Sequence, residues 1–239
     1  EKWNGANMGV LTHCVLLEEL MAVEAGFAAA VHLSWKLAGL LLECGTEEQK
    51  SKYISMFAED ETFLFGDGTL GPITLSDNQN VTAIPEGSGW VLSGKKRFVG
   101  CGPLAKFFIL DARANGASGG SNEDFTFIVP RNAPGIRAGK VHDKMGLRTF
   151  LESELNFKGC QVPGADVLSD GAGNGTGPKS RYFRKITPTL GAFGVGIARA
   201  ALEKATKHAM ERVQGGKPIF EHDIVSVRLA EMKVRVDVA

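Results

Sequence analysis

Apolar residues in this chain change their period twice, and that constrains the fold more than any other feature. From about Gly9 to Ala58 they recur at steps of three and four. From about Thr62 to Gln161 they come in short β-branched and aromatic runs broken by Gly, Asn and Pro. After about Arg181 the helical step returns. A sequence of one period folds as a bundle or a sheet; one that switches twice carries a β-rich segment between two helical ones. The pattern predicts an α+β protein in three parts: a helical domain over 1–62, a small antiparallel barrel or sandwich over 63–165, and a second helical domain over 166–239.

Local signals fill in each part. Val10, Leu11, Cys14, Leu17, Leu20 and Met21 make a broad helical stripe. An Ala- and Leu-rich run from Ala25 to Cys44 stops at Gly45, as at a C-terminal cap. Thr46 and Gln49 have the spacing of a capping box opening the next helix. In Gly89 to Val99, two β-rich runs flank Ser93-Gly94, which reads as a hairpin. Phe107–Ala112, Phe125–Pro130 and Glu154–Phe157 read as further strands. After the Gly-rich stretch Asp170 to Pro178, a long helix is expected from about Arg181 to Val213, ended by Gly215-Gly216 and Pro218. Another helix starts near Glu221 with Ile224, Val227, Ala230, Val234 and Val238 on one face. That face runs to Ala239 without a stop signal. The simplest expectation is an internal stretch of a longer protein; a natural C-terminal helix that frays is the alternative.

Composition excludes several classes. Lys+Arg 27 against Asp+Glu 27 leaves no basic excess for a nucleic-acid partner. The richest apolar stretch, Gly26 to Leu42, is interrupted by His32, Ser34 and Lys36, so no membrane span is expected. Cys14, Cys44, Cys101 and Cys160 lie far apart without a CxxC pair and read as reduced thiols, which suits a soluble cytoplasmic protein. The five His residues have no metal-ligand spacing, so no metal is expected. Gly171, Gly173, Gly175 and Gly177 mimic a phosphate loop but lack the preceding strand and the GK[ST] signature; a mobile surface loop is the plainer reading. Gly191, Gly194 and Gly196 are expected to allow close helix packing.

Several segments resemble the acyl-CoA dehydrogenase family in order and spacing. They are GTEEQKSKY (Gly45–Tyr53), GSGWVLSGKKRFV, KMGLRTFLESELNFKGCQVP (Lys144–Pro163) and the run from Leu190 to Asp223. The resemblance implies a β-barrel middle domain and the start of a C-terminal four-helix bundle. By this comparison the extreme N-terminal part and most of the C-terminal helical domain are missing. It further implies FAD as cofactor, an acyl-CoA substrate oxidised to its 2,3-enoyl form, an electron-transfer flavoprotein or similar acceptor, and a homodimer or homotetramer. The alternatives are a flavin monooxygenase or oxidase on the same fold, and a non-catalytic member that binds acyl-CoA or a partner.

The resemblance also assigns residues. Leu70–Asn78 is similar to the flavin segment Thr-Glu-Pro-x-x-Gly-Ser-Asp. Pro72, Ser76 and Asp77 match it, while Leu70, Gly71 and Leu75 depart from it. This implies backbone flavin contacts at Leu70 and Gly71 without the Thr hydroxyl, and Ser76 near the acyl-CoA. Phe98-Val99-Gly100 stands for the second flavin segment, with the aromatic wall kept and a hydroxyl lost. As alternatives, these are plain β-domain residues. Arg212 is implied to meet the pyrophosphate of a neighbouring subunit's cofactor, with Gln214 and His222 adding polar contacts; helix capping is the other role open to Arg212. Arg184 and Thr187 fall near substrate, with Arg181 and Lys185, although cations there also read as solvated surface. Some members carry a catalytic Glu where this chain has Ile186-Thr187, so the base is expected beyond Ala239.

Overall fold

The computed structural model describes residues 5, 8–69, 81–114, 123–168 and 177–239. Three helices come first, α1 (Val10–Val23), α2 (Ala25–Cys44) and α3 (Glu47–Glu59). Seven strands follow: β1 (Phe65–Gly68), β2 (Thr82–Glu86), β3 (Gly89–Gly100), β4 (Phe107–Ala114), β5 (Glu123–Pro130), β6 (Ile136–Val141) and β7 (Glu152–Pro163). Then come α4 (Pro178–Ile186), α5 (Pro188–Glu211), the short strands β8 (Val213–Gln214) and β9 (Lys217–Pro218), and α6 (Asp223–Asp237). The chain forms two compact units, one of 1–7 with 29–185 and one of 8–28 with 186–239.

In the first unit the seven strands form one sheet in the order β1-β4-β2-β3-β7-β6, with β5 on β4 and β1 also meeting β3. The expected antiparallel pairing holds for β2–β3, β3–β7, β4–β5 and β6–β7. It fails at β4, which runs parallel to both β1 and β2. Long intervening segments allow this, because a parallel neighbour needs a crossover rather than a tight turn. The hairpin expected at Ser93-Gly94 is also absent. β3 is continuous there, and Gly94, at φ 128, sits in a register shift against β7. The turn falls instead between β2 and β3, where Gly87 takes φ 58. A glycine inside a β run marks a bulge as readily as a turn.

The sheet closes over a core of Leu92, Val99, Phe108, Leu110, Phe127, Val129, Leu155, Phe157 and Val162, all buried. Each large side chain among them contributes roughly 1.5–3 kcal/mol by leaving water. The capping box of α3 forms as expected: Gln49 N–H donates to Thr46 Oγ1 at 3.2 Å, and Thr46 N–H to Gln49 Oε1 at 3.0 Å. Gln49 Nε2 also donates to the carbonyls of Ala165 and Val167, each at 2.8 Å. Tyr53 donates to Asp166 at 2.6 Å, so α3 is pinned to the turn that follows β7. By length and composition alone α2 is apolar enough to cross a membrane, as a buried core helix also can be, so the expectation of no membrane span is not overturned. Its Leu37, Leu40 and Leu41 are nonetheless fully buried.

In the second unit Arg199 of α5 reaches Glu18 at 3.1 Å and Glu19 at 2.8 Å on α1. A Cβ on Gly196 would stand 2.4 Å from Glu18 O, so the close packing expected there is real. A Cβ on Gly191 or Gly194 would meet nothing within 4 Å among the described residues, so the close packing expected there is not seen. The single helix expected from Arg181 to Val213 is two, because Pro188 offers no N–H to the carbonyl of Arg184; proline suits the first turn of α5 instead. Of the α1 stripe, Leu17 and Met21 are buried while Leu11 is 79% exposed. On α6 the only buried residue is Leu229; Ile224, Val227 and Val234 face out, as does Val238 at its C-cap.

Candidate functional site

The end of β3 departs from regular strand. Phe98 and Cys101 take φ 52 and 54, in the left-handed region that costs a side-chain-bearing residue energy. Between Lys96 and Val99 the register against β7 shifts, and the bulge turns Phe98 outward, where it is 44% exposed. Its ring stacks on His142, with centroids 4.5 Å apart and planes at 28°. His142 Nε2 is buried with no hydrogen-bond partner among the described residues. Val99 is fully buried in the sheet core, so its side chain cannot reach a ligand.

Gly100 pairs in register with Asp67. A Cβ on Gly100 would lie 2.5 Å from Leu33 Cδ1 and 2.8 Å from Phe150 Cζ. The lost hydroxyl side chain has therefore left no vacancy: α2 and the loop before β7 fill the space. Beside it, the Asp67 carboxylate is paired with Lys36 and accepts from the Thr69 N–H at 2.8 Å. Burial pushes the Cys101 thiol up to about 12, with the Asp67 and Glu152 charges adding to it. A thiol so placed stays protonated and is no nucleophile.

Side chains of α4 anchor it to this unit. Lys179 pairs with Asp111 and donates to Thr126 Oγ1 at 2.8 Å. Tyr182 donates to the Lys36 carbonyl at 2.8 Å. Arg184 then stands exposed in the last turn of α4. Burial pulls Lys96 below the ordinary lysine range, with Asp111 the main opposing charge; its ammonium donates to the Asp111 carbonyl at 3.2 Å.

In the second unit, Thr187 is exposed at the N-cap of α5 and Arg212 occupies the C-cap. The Arg212 N–H closes on His208 O at 2.9 Å. Its guanidinium, exposed, makes no ion pair or hydrogen bond among the described residues. The β8–β9 hairpin turns on Gly215 and Gly216, at φ 64 and 81, a pair that suits a two-residue turn with both central residues left-handed. It brings Gln214 and His222 together, with His222 Nε2 3.0 Å from Gln214 O. Leu70, Gly71 and Ser76, like most of the Gly171–Gly177 series, lie outside the described residues.

A flat ring fits the exposed Phe98 face, and an anionic group fits Arg212. Among the described residues no general base emerges. The carboxylates displaced from their ordinary range, Glu48, Asp60 and Glu154, are all held low by hydrogen bonds, whereas carbon-acid chemistry needs one held high. Among the described residues no cluster of His, Cys, Asp and Glu could hold a metal. The sequence reading missed Asp67, Lys36, His142 and Tyr182. Its only signal for the first two was a charge standing inside an otherwise apolar run.

Three family models match the chain in order: acyl-CoA dehydrogenase N-terminal domain over 1–61, middle domain over 72–160 and C-terminal domain over 183–239. The cyclohex-1-ene-1-carbonyl-CoA dehydrogenase of Geobacter metallireducens is 32% identical over 246 residues, covering 98% of this chain and 62% of its own length. The structure of butyryl-CoA dehydrogenase from Megasphaera elsdenii superposes with a TM-score of 0.86 at 30% identity, over 99% of this chain and 63% of that one. An FAD complex of PigA superposes at 0.84 with 26% identity, over 99% of this chain and 62% of that one. The sequence thus spans a little under two thirds of the relatives it matches.

Proposed function

This chain belongs to the acyl-CoA dehydrogenase family, and from that premise we propose that it forms part of an FAD-dependent enzyme converting an acyl-CoA thioester to its 2,3-enoyl form. The observation that carries the reading is the ordered match of three domain models along one chain, supported by relatives that are themselves acyl-CoA dehydrogenases. FAD, when bound, supplies the hydride acceptor. The domains would be helical over 1–62, barrel-like over 63–165 and helical over 166–239, the last entering a four-helix bundle.

In this reading Phe98 lies against one face of the flavin, and the backbone at Val99 and Gly100, with that of Leu70 and Gly71, contacts its edge. Arg212 holds the pyrophosphate of a neighbouring subunit's cofactor as a fixed cation, with Gln214 and His222 beside it. Ser76, Arg184 and Thr187 border the acyl-CoA. Ile186 cannot take a proton, so the base is a Glu outside residues 1–239. The whole protein is a homodimer or homotetramer and passes electrons to an electron-transfer flavoprotein or similar acceptor.

The test is anaerobic addition of acyl-CoA thioesters of graded length to the full-length flavoprotein. Loss of the visible flavin band is expected. A band that fades only with an added reductant and returns with oxygen points to an oxygenase. One observation favours a second reading, a member that binds acyl-CoA without catalysis: Leu33 and Phe150 fill the space beside Gly100. Purification without flavin, together with retained acyl-CoA binding, would establish that reading instead.

A further inference from the structure

Lys36 on α2 reaches the Asp67 carboxylate on β1, and the two side chains are only 12% and 6% exposed. A buried ion pair costs more in desolvation than its attraction returns unless its remaining polar groups are satisfied. Here they are. Asp67 Oδ1 accepts from the Thr69 N–H at 2.8 Å and from its hydroxyl at 2.7 Å. The Lys36 ammonium also lies 5.6 Å from the centre of the Phe183 ring. The Lys36 carbonyl takes the Tyr182 hydroxyl. That hydroxyl fits only because residue 39 is glycine: a Cβ there would stand 2.2 Å from it.

The pair borders the rim proposed to face the flavin. Asp67 is the register partner of Gly100. Leu33, one helical turn before Lys36, occupies the space a side chain at 100 would need. One face of α2 therefore meets the β1–β3 junction twice, with an apolar contact at Gly100 and a charged one at Asp67. Two apolar residues would hold α2 on β1 at least as tightly. What the charged pair adds is direction, because carboxylate, ammonium and the Thr69 donors must align together.

We infer that Lys36 and Asp67 are a positioning pair: they set how β1 meets β3 and thereby place the Phe98–Gly100 rim for the flavin. The inference rests on the FAD reading above. Its test uses the full-length protein, stripped of flavin and titrated with FAD, in wild-type, Asp67→Asn, Lys36→Met, Lys36→Arg and Thr69→Val forms. FAD affinity, the shape of the bound flavin's visible band and the apoprotein's thermal midpoint are all recorded. Asp67→Asn and Lys36→Met are expected to weaken FAD binding by about tenfold or more and to broaden the band, as small misplacements do in preorganised sites. Thr69→Val should act in the same direction by a smaller factor, and Lys36→Arg should restore most of the affinity. If Lys36→Met fails to fold, Thr69→Val decides. Variants that lose thermal stability but bind FAD with wild-type affinity and spectrum would overturn the inference, leaving the pair a strut. A wild-type protein that takes up no FAD would instead sink the flavoprotein reading itself.

Discussion

Gly100 shows how a single residue can look like a simple loss and be something else. Where the family resemblance implies a hydroxyl, the chain carries hydrogen, and Leu33 and Phe150 have closed over the position. Gly100→Thr is therefore expected to destabilise by about 1–3 kcal/mol through overpacking rather than to regain a flavin contact. Urea unfolding measures it, and adding Leu33→Ala should recover part of the loss. Cys101, the next residue, makes a pH prediction. Burial holds its thiol at about 12, whereas the unfolded thiol ionises from about 8.5. Between those values the unfolded state binds fewer protons than the fold, so stability is complete below the lower value and falls as pH rises through the window. Tyr53 and Tyr182, also pushed up mainly by burial, act in the same sense. The urea midpoint should be lower at pH 10 than at pH 8, and Cys101→Ala should narrow the difference; equal midpoints in the native chain would contradict this account.

Among the elements, α3 was the most readable and β3 the least. The capping box of α3 needs two side chains three residues apart, so its partners were visible in a short window. Gln49 does more than that window shows, since its amide also holds two carbonyls more than a hundred residues away. Thr46→Ala should cost about 1 kcal/mol, the usual loss of a cap. Gln49→Ala should cost more, about 2–3 kcal/mol, because the buried Gln49 side chain also donates to the carbonyls at 165 and 167 and those bonds are lost with the cap. If chemical denaturation finds the two variants equal, Gln49 acts only as a cap. For β3, Ser93-Gly94 is ambiguous within any short window. Whether a glycine turns the chain or bulges it depends on β7, which pairs only after some sixty further residues.

At the scale of the molecule, the second unit leaves apolar surface uncovered. Leu11, Val15 and Val23 of α1, Ile224, Val227 and Val234 of α6, and Val238 just after it are all exposed. A groove of about 730 Å³ also opens between α5 and α6, with Met210, Phe220 and Leu229 in its wall. Equal numbers of acidic and basic residues give the chain no net charge to keep copies apart. The 239-residue chain expressed by itself is expected to self-associate as its concentration rises. Val227→Lys with Val234→Lys should suppress this while leaving the helical circular dichroism unchanged. Sedimentation of a monodisperse wild-type monomer across the same concentrations would refute it.

The amino-acid sequence alone determined whatever depends on neighbours a few residues apart. That includes the switch from helical to β period and back, the cap at Thr46, the Gly215-Gly216 turn, and the ordered segments similar to one enzyme family. Only the tertiary structure decided what depends on residues brought together from far apart. The parallel seat of β4 between β1 and β2 is of this kind, as is the filling of Gly100 by Leu33 and Phe150. So is the meeting of Lys36 with Asp67, thirty-one residues apart. The physical reason is the range of the forces involved. Periodicity and capping are local and leave a pattern in the chain, whereas close packing and buried charge pairing are satisfied by whichever side chain arrives, and no short window records which one that will be.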